Sequence, residues 1–157
     1  MKRVVISDTS CLILLSKLNL ITVLETLFTE VWITEEISNE FGEILPGWIK
    51  VKSANSATLE RILNLNLDKG EASAIALCLE QSSDVLLIID ERKGRRIAKE
   101  LGINLIGTIG IILRANQLGI IKNLKETIEL IEEVGFRISP LLKEQLLNTL
   151  INKSKDK

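Results

Sequence analysis

Residues 85–96 read VLLIIDERKGRR: five apolar residues, the adjacent acids Asp90 and Glu91, then four cations within five positions. An apolar run rich in Val, Leu and Ile with no polar alternation predicts a strand buried on both faces, as in a parallel sheet. Its acids then fall at the strand's carboxyl end, the edge over which open α/β sheets bind ligands. Two carboxylates are therefore expected where chemistry is usually done.

Working outward, the pattern recurs at the start of the chain. RVVIS, residues 3–7, is a short strand ending at Asp8, and Thr9 and Ser10 offer capping hydroxyls before the helical CLILLSK. LITVLETLF predicts a helix with one apolar stripe, EVWI a strand, and TEEISNEF a helix capped by Thr34 and stopped by Gly42. WIKVK alternates as a strand does, and Ser56 caps the helix ATLERILNLN. Asp68 to Gln81 is a long helix whose Ala72, Ile75, Ala76 and Leu79 form a narrow face suited to a sheet. A basic helix ERKGRRIAKEL, a strand INLI and three further helices, TIGIILRANQL, LKETIELIEEV and PLLKEQLLNTLIN, complete the order. Strands and helices alternate, which predicts an α/β fold of three layers, α/β/α, around a central parallel sheet of four to five strands. One domain is expected over residues 1–152, with a frayed C-terminal tail at 153–157.

Composition narrows the function. The chain has 157 residues, 46% apolar and 26% charged, with two Pro, as a packed globular domain requires. A net charge of -1 gives no global attraction to nucleic acid, so any such attraction must be local. Cys11 and Cys78 sit in apolar helical runs and read as small core residues. Lys2 and Arg3 are followed too soon by Asp8 for a signal peptide, and no apolar stretch reaches the length of a membrane span, so a cytoplasmic protein is expected. The chain contains no histidine and no tyrosine. This removes Ser-His-Asp and Cys-His nucleophile pairs, imidazole acid/base catalysis and His-ligated zinc. Gly107 and Gly110 are too sparse for a phosphate cradle, and Asp8 lacks the second aspartate two positions on that phosphate-transferring aspartate enzymes use.

Four acids stand out by position: Asp8 and Asp90 at strand ends, Glu40 late in a helix, and Glu71 at a helix start. Each has a structural use. Asp8 and Asp90 suit helix caps, and Asp68 with Glu71 has capping-box spacing. Glu40 is harder to account for, because a carboxylate in a last turn meets the negative end of the helix dipole. Brought into one crevice, these carboxylates would repel one another unless a divalent cation neutralised them. Oxygen donors without His or Cys select Mg²⁺ or Mn²⁺, ions that assist phosphodiester hydrolysis. Arg92, Lys93, Arg95 and Arg96 follow at once; they make either a solvated basic face or a holder for the backbone of a polyanion. With 3% aromatic residues there is little to stack bases on.

The ordered set VVISDTS, EEISNEF, GEASAIALCLE and LLIIDERKGRRIAKELG, with the helix from Gly107 to Leu113, resembles the PIN domain. That fold serves many toxin-type ribonucleases of bacterial and archaeal toxin–antitoxin pairs. The likeness is greatest to the subgroup with a GEA helix and a DDR-GRR segment, and it covers about 140 residues. It implies catalytic acids at Asp8, Glu40, Glu71 and Asp90, with Thr9 or Ser10 nearby. Where subgroup members often carry two aspartates this chain has Asp90 then Glu91, so either can be the metal ligand; Asp90 is favoured, with Glu91 as a supporting or alternate ligand. The resemblance further implies Mg²⁺- or Mn²⁺-dependent cleavage of single-stranded RNA, a homodimer, and an antitoxin protein that occludes the site. The competing expectation is a PIN-like scaffold that binds a protein or RNA without catalysis.

Overall fold

A computed structural model describes residues 3–81 and 84–155, with side chains to residue 151. It gathers into two compact units, Met1–Ile112 and Leu113–Lys157. The first holds the whole sheet. Its strands are β1 (Val4–Ser7), β2 (Glu30–Ile33), β3 (Ile49–Val51), β4 (Val85–Ile88) and β5 (Asn104–Ile106). All neighbours are parallel, in the order β3-β2-β1-β4-β5. The chain steps outward from β1 through β2 to β3, then returns to the other side of β1 for β4 and β5. The order therefore reverses between β1 and β4, and a crevice opens at their carboxyl ends. This is a three-layer α/β/α architecture, as the alternation of segments predicts.

The helices of this unit are α1 (Thr9–Lys17), α2 (Thr22–Leu27), α3 (Glu35–Phe41), α4 (Ala57–Asn64), α5 (Lys69–Leu79) and α6 (Arg92–Glu100). Most of their caps can be traced in the sequence. Thr34 accepts from Ile37 N–H, Ser56 from Leu59 N–H and Asp68 from Glu71 N–H, while Gly42 ends α3 at φ 69°. At α1 the sequence offers two kinds of cap, the Asp8 carboxylate and the hydroxyls of Thr9 and Ser10. Asp8 itself caps α1, its carboxylate accepting from Cys11 N–H at 2.9 Å, so Thr9 opens the helix instead of capping it. An acid directly after the strand reaches the free amides before the following hydroxyls can, and its charge also suits the helix dipole.

The face assigned to α5 also needs correcting. Every residue from Ala72 to Cys78 is buried, and Leu79 is 36% exposed. Helices α3 and α4 pack on α5, as do strands β1 and β4, so it is enclosed on all sides. Small side chains suit such a place: Ser73 is buried between Thr34 Oγ1 at 2.7 Å and the Gly70 carbonyl at 2.7 Å. By contrast α4 buries no side chain fully. Its start is tied to the end of α5 by the Glu80 carboxylate, which accepts from the amides of Asn55 and Ser56 at 2.7–2.8 Å.

Helix α7 (Thr108–Gln117) begins in the first unit and ends in the second, followed by α8 (Leu124–Glu133) and α9 (Pro140–Lys155). Within the second unit Ile121, Leu124, Ile128, Ile131 and Leu146 are buried, and Lys143 pairs with Glu132 at 2.9 Å. Helix α9 runs through residues 153–155 of the expected tail, and residues 156 and 157 lie outside those described. Both cysteines are free and buried. Among the described residues no helix is long and apolar enough to cross a membrane.

Candidate active site

The crevice between β1 and β4 is built on one side chain. Asp8, at the end of β1, is 6% exposed. One carboxylate oxygen accepts from Cys11 N–H and the other from Asp90 N–H at 3.0 Å, while the Asp8 amide donates to the Ile88 carbonyl at 3.0 Å. The sheet ladder thus runs past the strand ends and ties Asp8 to Asp90 across the switch point. The position follows from register: Ser7 pairs with Ile88, so the two loops leave the sheet side by side.

Asp90 is half-buried and turns toward the start of α7. It accepts from the Thr108 amide at 2.7 Å and from the Thr108 hydroxyl, which is itself fully buried. Residue type and spacing alone did not single out Thr108; its signal was its place after Gly107 at the head of a helix that carries part of the resemblance. Glu91 is used differently. It, and not Asp90, caps α6, accepting from Gly94 N–H at 2.9 Å, while the Asp90 carboxylate is held by Thr108. The backbone turn between them sends consecutive side chains to different helix ends.

Glu40 and Glu71 approach the crevice from α3 and α5. Thr9 Oγ1 donates to Glu40 Oε2 at 2.9 Å, giving that last-turn carboxylate a donor to offset the helix dipole. Glu40 also lies against the start of α5, where a Cβ added at Gly70 would stand 2.6 Å from Glu40 Oε1. Glu71, one residue on, lies near the start of α6, its Oε2 3.6 Å from where a Gly94 Cβ would be. Two glycines thus leave the carboxylates room to approach. Ser10 is exposed in the first turn of α1.

Electrostatically the site is uncompensated. Asp8 is raised from 3.8 to about 7, first by burial and then by the charges of Asp90 and Glu71, against hydrogen bonds from Cys11 and Asp90 that lower it. Glu71 is likewise raised to about 7, by burial and then by Asp68 and Glu91. The neighbouring Cys11 thiol is pushed well up, mostly by burial. Among the described residues no Lys or Arg forms an ion pair with Asp8, Glu40, Glu71 or Asp90. Arg95 and Asp90 both lie against Gly107, but the Arg95 guanidinium folds back to donate to the Ile89 carbonyl at 2.8 Å. Arg92, Lys93 and Arg96 are exposed on α6.

These donors fit a hard divalent cation in kind: oxygen only, mutually repelling, and without an ion-paired Lys or Arg among the described residues. As the side chains lie, no three acids among the described residues stand close enough together to grip one ion. The fit is therefore one of chemistry and place, with Asp8 already fixed and Glu40 and Glu71 at the rim.

A family model described as a PIN domain matches residues 4–152. The chain belongs to the PIN-domain family, a nuclease superfamily whose members are generally metal-dependent. No curated protein matches it.

Proposed function

We propose that the protein is a Mg²⁺- or Mn²⁺-dependent endoribonuclease cleaving single-stranded RNA in the cytoplasm. The observation that carries this is Asp8: a carboxylate buried at the switch point, bonded to the backbone of Asp90, with no ion-paired cation among the described residues. Burying an unpaired charge is costly unless a ligand repays it. Asp8, Glu40, Glu71 and Asp90 would hold the ion, with Glu91 supporting through its cap. When bound, the metal supplies an activated water and polarises the phosphoryl oxygen. The chain's own residues do the rest. Asp8 is locked by two amides, so the donor set keeps its orientation, and Thr108 fixes Asp90 through both carboxylate oxygens. Arg92, Lys93 and Arg96 on α6 hold the RNA backbone, and Arg95 braces the loop from which Asp90 projects.

The biological setting that fits is the toxin of a toxin–antitoxin pair, in the GEA and DDR-GRR subgroup, acting as a homodimer held in check by an antitoxin protein. The deciding experiment is RNA cleavage with Mn²⁺ by the native protein and by Asp8→Asn. Cleavage that vanishes in the variant and in excess EDTA supports the reading; full activity in either refutes it.

A second reading has an observation in its favour. Asp8, Asp68 and Glu91 all cap helices, and the acids are not closed around one point. A non-catalytic PIN-like scaffold binding a protein or RNA would show no Mn²⁺ affinity by calorimetry at millimolar concentration.

A further inference from the structure

Glu40 faces a second space. Between α3, α4 and α5 lies a groove of about 580 Å³, and Glu40 lines it as well as the acid crevice. Small-molecule sites commonly run from about 300 to 1,000 Å³. Ala57 and Ala72 leave the groove open, and its walls are polar: Glu36 and Asn39 from α3, Glu60, Arg61 and Asn64 from α4, and Lys69 at the start of α5.

Two features of these walls ask for a ligand. Glu36 Oε2 is buried without a hydrogen-bond partner. A buried carboxylate oxygen without a donor is an expensive arrangement that a ligand donor would relieve. Glu60 faces the same charge: its carboxyl is raised by burial first, then by Glu36 and Glu80. Arg61 and Lys69, meanwhile, form no ion pair among the described residues. One wall therefore offers carboxylate acceptors for N–H donors, while the cations want an anion.

A nucleotide carries both. Among RNA bases only guanine presents two adjacent donors on its Watson–Crick edge, N1–H and the 2-amino group; adenine and cytosine offer one amino group and uracil one imide N–H. Unpaired bases are read through that edge. A guanidinium from a partner protein is also a double donor, but Arg61 and Lys69 would repel it. Without aromatic residues in the groove, stacking adds nothing, and selection rests on the base edge.

We propose that this groove is a guanine-selecting nucleotide subsite beside the cleaved bond, with Glu36 accepting from N1–H and the 2-amino group and Arg61 and Lys69 meeting the flanking phosphate. The assignment rests on the nuclease reading above for its place next to the scissile phosphate. The base preference is separable and can be measured without cleavage.

The test is equilibrium binding of GMP, IMP and AMP to the metal-free protein, followed by NMR, for the native chain, Glu36→Gln and Glu36→Asp. IMP lacks the 2-amino group and AMP lacks both donors of the pair. GMP is expected to bind roughly tenfold more tightly than either, the usual scale of discrimination by a bidentate contact. Glu36→Gln should abolish the preference while leaving Mn²⁺-dependent cleavage of guanine-free RNA unchanged. Glu36→Asp should retain part of it, which separates lost recognition from lost folding. Equal binding of the three nucleotides, a preference that survives in Glu36→Gln, or tighter binding of arginine amide than of GMP would each overturn the subsite. A GMP preference in a protein that cleaves no RNA would support the subsite and refute the nuclease reading instead.

Discussion

Strands β1 and β4 lie side by side, and their two ends treat acids in opposite ways. At the amino end Arg3 pairs with Asp84, whose side chain is 66% exposed and also accepts from Asn104. At the carboxyl end Asp8 and Asp90 have no ion-paired cation among the described residues, and Asp8 is buried. The same two strands thus carry a neutralised, solvated corner and an unneutralised, desolvated one. Folding alone would favour the first arrangement at both ends. The second is expected where a ligand of opposite charge completes the structure.

The largest test of this contrast is Asp8→Asn. Cleavage of single-stranded RNA with Mn²⁺ should fall by about a thousandfold or more, since a metal ligand contributes several kcal/mol to the transition state. Far-UV circular dichroism should show the fold retained. Next comes pH. Asp8 is raised in the folded state from 3.8 to about 7, so between those values the folded chain binds more protons than the unfolded one. Its contribution is fully present below about pH 4 and is lost as pH rises through 7, a span of up to about 4 kcal/mol from this group. Thermal unfolding of the metal-free protein should therefore show a higher midpoint at pH 5.5 than at pH 7.5, and Mn²⁺ should narrow the gap. No such narrowing would mean the carboxyl end does not take the ion.

Gly70→Ala should have a smaller effect. The new Cβ would stand 2.6 Å from Glu40 Oε1, the far end of a flexible side chain, so Glu40 swings aside. Helix propensity gains roughly 1 kcal/mol while cleavage falls by about tenfold, separating stability from activity in one change. Asp84→Asn should do least. An exposed ion pair is worth about 1 kcal/mol or less, so the melting temperature should move by a few degrees at most and cleavage should stay unchanged.

How much of this was legible depends on whether a feature is local. Buried strands and the acids at their ends could be read from VVISD and VLLIID because burial on both faces leaves an unbroken apolar run. Thr34, Ser56, Asp68 and Gly42 could be read as helix ends because a cap involves only three or four residues. Features decided by distant partners were not legible. The full enclosure of α5 depends on α3 and α4, so its sequence showed one face where four elements meet it. The different directions taken by the Asp90 and Glu91 side chains depend on Thr108 and Gly94, on two different helices. Arg95 looked like its neighbours in a basic run, yet it alone reaches back to the strand end at Ile89. Glu36 and Glu60 gave no signal at all, because an exposed-looking helical Glu becomes notable only when two helices face each other across a groove.

The carboxylate of Glu80 now takes on a further meaning. It holds the approach to α4 by the amides of Asn55 and Ser56, and α4 buries no side chain fully. The outer wall of the groove thus rests on its packing against α5 and on this carboxylate, with no fully buried side chain of its own. If the groove takes a nucleotide as proposed, the placing of that wall depends on Glu80 and α5, separately from the β1–β4 pairing that sets Asp8.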